Sequence, residues 1–186
     1  MRRRHDESGA SLVEVGLILP ILILLAIGLS EIGFLVVDYL TVTNAAREGA
    51  RTGAAAADFP TADDIILNAV EEAACNLDFG TLNTVTIYRA DANGDIPVPP
   101  AGGVNQYVNN GGLLCGSSSH GLSAGAGCCP WAPGDRDRVP PGLDVLGVEV
   151  VFTHTSVTGL FPFPTVMWTE TAVMQIEPDT RGTQTP

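Results

Sequence analysis

Three features of the sequence predict an α+β fold: a long N-terminal transmembrane helix, a second amphipathic helix, and a small antiparallel sheet with a disulfide-tied Gly/Pro-rich loop. The first is an apolar run that carries no charge over residues 15–30. The second is a helical spacing of apolar residues from Ile65 to Leu77. The third is a strict alternation at Leu146, Val148, Val150 and Phe152, as in a half-buried strand. Helices grouped ahead of strands, rather than interleaved with them, indicate α+β.

The chain has 186 residues, and residues 1–9 form a basic leader containing Arg2, Arg3 and Arg4. The apolar run over residues 12–37 contains only two acids, Glu14 and Glu31. Its 26 residues span roughly 39 Å as a helix, enough to cross a hydrocarbon core of about 30 Å. A cleaved secretory signal has a shorter apolar core of ~7–15 residues and closes on a small-residue site. A retained single-pass anchor in contact with membrane lipid is therefore expected. Positive charge flanking a span tends to stay in the cytoplasm, so the N-terminus is expected inside the cell membrane and the C-terminal domain outside. Helical composition continues past the membrane, giving one transmembrane and extended helix over residues 10–57. Asn44, Arg47 and Arg51 fall three and four residues apart on one face of it. That face is either solvated near lipid heads or a subunit contact.

Residues 58–96 hold the second helix and the first strand. Asp58-Phe59-Pro60 stops the long helix. Thr61 and Asp64 resemble a capping box, and Ile65, Ile66, Ala69, Val70, Ala73 and Leu77 follow at helical spacing. Residues 84–88 read as a strand, and Asn93-Gly94 as a tight turn. Residues 97–142 change character: Gly, Pro, Ser and Asn dominate, which reads as a long loop. Residues 143–178 give two more strands, the second marked by Ala172, Met174 and Ile176, and residues 179–186 form a tail. About three strands are expected, with Phe161, Phe163 and Trp168 buried beneath the sheet rather than forming an exposed patch or touching the membrane surface.

A formal charge of -12 repels nucleic acid, and no nucleic-acid partner is expected. The cysteines are Cys75, Cys115, Cys128 and Cys129. An even number in an exported domain reads as disulfides, with three possible pairings. Neighbouring cysteines rarely bond to each other, so Cys128 and Cys129 are each expected to reach one of Cys75 and Cys115. No cofactor or metal is expected. Asp91, Asn93 and Asp95 alternate like the start of a calcium loop, but no downstream Glu completes it. His120 and the adjacent cysteines lack the two spaced pairs of a structural zinc site. Neither His154 nor residues 117–120 lie in a nucleophile motif, and no catalytic residues are assigned.

The informative hexad is Gly9-Ala10-Ser11-Leu12-Val13-Glu14. A basic leader ends in Gly, and the fifth residue beyond is an acid at the edge of the apolar run. A carboxylate there is costly unless partnered. Cutting after Gly9 would create an amine at Ala10 that could pair with Glu14 of a neighbouring copy. This resembles the processing signature of type IV prepilins. Together with Leu17-Ile-Leu-Pro20, Glu31-Ile-Gly33, the stretch from Asn44 to Arg51, and the closing segment from Thr171 to Pro178, it is similar to the TadE/TadG-like family. Those are pilin-like proteins of tight-adherence (Flp pilus) systems. The resemblance implies a minor pilin-like structural component, with partners among pilus or secretion-system proteins and a prepilin peptidase. Val15 stands where the pilin subunits of such systems usually carry an aromatic residue. The alternative is a membrane-anchored extracytoplasmic binding domain that never enters a pilus.

Overall fold

A computed structural model describes residues 7–97, 103–159 and 164–178. Its spine is α1, Glu7–Ala56, a single helix of 50 residues. Leu, Ile and Ala dominate it, and three of its hydroxyls are accommodated within the helix. Ser30, Thr41 and Thr43 each donate a hydroxyl hydrogen bond to the carbonyl four residues back. The helix ends where Ala57 turns to a φ of 44° and its amide bonds the Gly53 carbonyl.

A turn through Pro60 leads into α2, Ala62–Ala74. Asp63 and Asp64 lie in its first turn, where the exposed N–H groups favour negative charge. The expected capping box is absent: Thr61 makes no side-chain cap, and only its carbonyl accepts a bond, from Ile65. Ile66, Leu67, Val70 and Ala74 are buried against α1 and the sheet, while Ile65 faces out.

The sheet has five antiparallel strands rather than three. They are β1 (Gly80–Arg89), β2 (Val104–Asn109), β3 (Leu122–Ala124), β4 (Val145–Thr155) and β5 (Thr165–Gln175). Their order is β3-β2-β1-β4-β5. β2 and β3 fall in the stretch whose Gly and Pro content marks it as loop. A short 3-10 turn, Pro133–Asp135, also lies there. The alternation at Leu146, Val148, Val150 and Phe152 is what the sequence predicts: all four side chains are fully buried. Each contributes about 1.5–3 kcal/mol by leaving water. Val85 pairs with Val150, and Ile87 with Val148, so the two central strands present a joint apolar face.

The helices cover that one face. α1 meets it through a strip of small residues: Ala45, Ala46, Gly49, Ala50, Gly53 and Ala54. The strip allows close approach. A Cβ at Gly49 would sit 2.5 Å from a Val70 methyl, and one at Gly53 would sit 2.8 Å from Leu146 Cδ2. Trp168 is half-buried between Phe152 and Tyr39, with ring centroids 5.7 and 6.0 Å away. Phe161 and Phe163 lie outside the described residues.

Two disulfides form, and neither matches the expected exchange. Cys75, at the end of α2, bonds Cys115 in the β2–β3 connection. Cys128 bonds its neighbour Cys129. The fold explains this outcome. The β2–β3 connection is held over the end of α2 by Glu71 and Glu72, whose carboxylates accept from the amides of Leu114, Gly116 and Gly121. Cys115 is thereby brought to Cys75. Cys128 and Cys129 are left against the core near Tyr107.

Candidate functional site

The long helix divides into two functional lengths. Over residues 11–26 every side chain is exposed. From Glu31 onward, one face of α1 is buried under the sheet. Ser11–Ala56 is long and apolar enough to cross a membrane, and among the described residues nothing buries its most apolar part. A helix whose apolar side chains are all bare needs a non-aqueous partner, either lipid or other helices.

Gly9, Ala10 and Glu14 lie near the start of α1, and Gly9 and Glu14 are exposed. Asn44, Arg47 and Arg51 lie on the exposed side of its packed half. Arg51 is tied to Glu48 by a bond of 3.0 Å to its Nε and a second contact through its outer nitrogen. Glu14 and Asn44 are 30 residues apart on one helix, so about 45 Å separates them. The chain itself does not bring the two groups together.

Three acids of the domain carry weight that their sequence context conceals. Glu31 is 5% exposed. Its carboxylate accepts from the amides of Val157 and Thr158 at 3.1 and 2.5 Å, and from the hydroxyls of Thr158 and Ser156 at 2.6 and 3.4 Å. It thereby binds the β4–β5 connection to the helix. Two turns further on, Asp38 bonds His154 Nδ1 at 2.7 Å, with both side chains buried. The seven-residue spacing of Glu31 and Asp38 puts both on the buried face, a signal that was present in the sequence.

Asp63 is the third. Its carboxylate accepts from Tyr107 at 2.7 Å and Asn105 at 2.8 Å, and pairs with Arg136, which is fully sheltered. Arg136 also donates to the Ala57 carbonyl and stacks over the Trp131 ring at 4.7 Å. Burial and the Asp63 hydrogen bond push the Tyr107 phenol well above its ordinary range. This network ties the connection after β3 to the α1–α2 corner. Arg136 and Asp63 are 73 positions apart, and no local pattern pairs them.

Among the described residues no cluster of His, Cys, Asp and Glu could hold a metal ion. The Asp91 carboxylate is used internally, accepting from the amides of Asn93 and Asp95 to shape the β1–β2 turn.

Residues 9–51 match the family model described as TadE-like protein, which agrees with the resemblance read from the hexad and the helix after it. This TadE-like segment associates the chain with Tad pilus systems. It covers α1 from the leader boundary to the packed half and stops short of α2 and the sheet. No curated protein and no solved structure matches the chain.

Proposed function

We propose that the protein is a minor pilin-like structural component of a tight-adherence pilus assembly or its secretion apparatus. Its span lies in the membrane with the N-terminus cytoplasmic and the sheet domain outside. The observation that carries this reading is the TadE-like match, which lies over a helix whose first half is bare and apolar. A helix of that kind can stand in lipid or exchange lipid for the helices of other subunits. Glu14 is the one acid among the exposed side chains of residues 11–26. In a dry assembly its carboxylate requires a cation. A prepilin peptidase cutting between Gly9 and Ala10 would supply one, as the new amine of a neighbouring copy, and would remove the arginines that hold the leader in the cytoplasm. Asn44, Arg47 and Arg51 then face other subunits or the lipid heads. No catalysis is assigned: the Asp38–His154 pair is buried and serves to join α1 to β4.

Intact-mass measurement of the membrane-extracted protein, beside a pilus assay, tests the reading. The wild-type chain is expected to begin at Ala10. Glu14→Ala is expected to insert and fail to assemble, and Glu14→Asp to assemble weakly. An uncut wild type together with a fully assembling Glu14→Ala would overturn it in favour of a static anchored domain.

A further inference from the structure

We propose that the β4–β5 end of the sheet is a foot that rests in the bilayer surface, so that lipid covers Ile32, Val36 and Leu40 of α1 together with Val157 and Met167. The inference rests on α1 being the membrane span.

It begins with a length. The charge-free stretch, residues 15–30, has 16 residues and reaches only about 24 Å as a helix, short of a hydrocarbon core of about 30 Å. The apolar layer must therefore continue past Glu31. A bare carboxylate would forbid that, since charge inside a bilayer is expensive. The fold removes both obstacles. Glu31 is enclosed by the residue 156–158 segment, and Asp38 by His154. What α1 leaves exposed on its far side is apolar: Ile32 at 53%, Val36 at 45% and Leu40 at 53%. Along α1, exposed charged and amide side chains resume only at Asn44 and Arg47.

Because the 156–158 segment is bound to Glu31, the residues just after β4 stand at the height of this helix stretch. Val157 is exposed there at 48% and Met167 at 68%. Trp168 points toward α1 and Tyr39, so the neighbouring Met167 points to the opposite face of the sheet. Bare apolar side chains thus ring this end of the domain on both its faces, with the exposed Thr155, Thr158 and Thr165 among them. A second copy docking on one side would cover α1 or Met167, not both. A bilayer already surrounding α1 meets the whole ring at once, and its interfacial zone accepts side chains to a depth of about 5–10 Å.

The four cysteines are all bonded, so one added cysteine is the single free thiol. The full chain is reconstituted into phosphatidylcholine vesicles with an environment-sensitive fluorophore at Leu22→Cys, Val157→Cys, Met167→Cys or Thr171→Cys. All four positions are exposed, so the labels leave packing intact. Lipid-borne nitroxide is expected to quench the labels at 22, 157 and 167 and to spare 171, and dilution with excess lipid is expected to change nothing. Quenching at 22 but not at 157 and 167 would overturn the foot and leave the anchor standing. No quenching at 22 would remove the anchor and the foot together. Shielding at 157 or 167 that is lost on dilution with excess lipid would assign the surface to a second copy and overturn the proposal.

Discussion

The Tyr88 ring fills the space above Gly147: a Cβ at 147 would lie 2.2 Å from its Cζ. Gly147 is therefore required by the ring, and the ring in turn carries the β1–β2 turn, since its hydroxyl donates to the Gly94 carbonyl at 3.0 Å. Burial, helped by the negative charges of Glu149, Asp95 and Asp91, pushes the Tyr88 phenol up to about 12. The fold thus favours the neutral phenol. Its contribution is complete below the unfolded value of about 10 and is lost as pH rises through about 12. Tyr107 acts in the same direction. Midpoints of denaturant unfolding are expected to fall steadily across that window. Tyr88→Phe is expected to start lower and to fall less, because Tyr107 alone then carries the dependence. A flat wild-type profile would contradict this account.

At the scale of elements, the contact between α1 and the rest depends on two glycines that look like helix defects. Gly53→Val tests the point. Replacing a helical Gly recovers up to about 1 kcal/mol of propensity. The new side chain, however, would meet Leu146 Cδ2 at 2.8 Å and Ile66 Cδ1 at 2.9 Å from its first carbon alone. Overpacking of that kind costs about 1–3 kcal/mol, so a net loss of stability is expected in thermal unfolding. A stabilised variant would show that the helix floats free of the sheet. The elements themselves were unevenly legible. α1, α2 and β4 were readable because each has a strong period: a long apolar run, a helical stripe, an alternation. β2 was hidden because Val104, Asn105, Gln106, Tyr107, Val108 and Asn109 are mostly polar, and its buried members include an Asn. Asn105 is legible only once Asp63 and Trp131 are known to meet it. The processing and assembly residues are proposed from motif and helix-face spacing, whereas Glu31 and Asp38 stood in plain view as acids in or beside an apolar run. Their partners come from β4 and the connection after it, more than 100 residues away. The cysteine pairing failed for the same reason: which thiols meet was set by Glu71 and Glu72 holding a distant segment, not by spacing.

On the scale of the whole molecule, the Cys75–Cys115 bond is the one covalent tie between the helical layer and the far edge of the sheet. It closes a loop with a sequence separation of 40, for which the chain-entropy account gives roughly 4 kcal/mol. Cys75→Ser is expected to lower unfolding stability by about that amount, within the usual range of about 2–5 kcal/mol. No loss on mutation or on reduction would mean that Glu71 and Glu72 alone hold the connection. The same layout has a mechanical side. In the proposed function α1 is at once the tether and the beam on which the sheet is built, with no linker between the two roles. A pull on the domain would therefore reach the bare apolar end as axial tension and torque along one rod. Clamped by the sheet above Glu31, that rod has its weakest joint near Pro20, which cannot donate to the Gly16 carbonyl. Bending under load gathers there, deep in the span, and the domain above leans as a single stiff body.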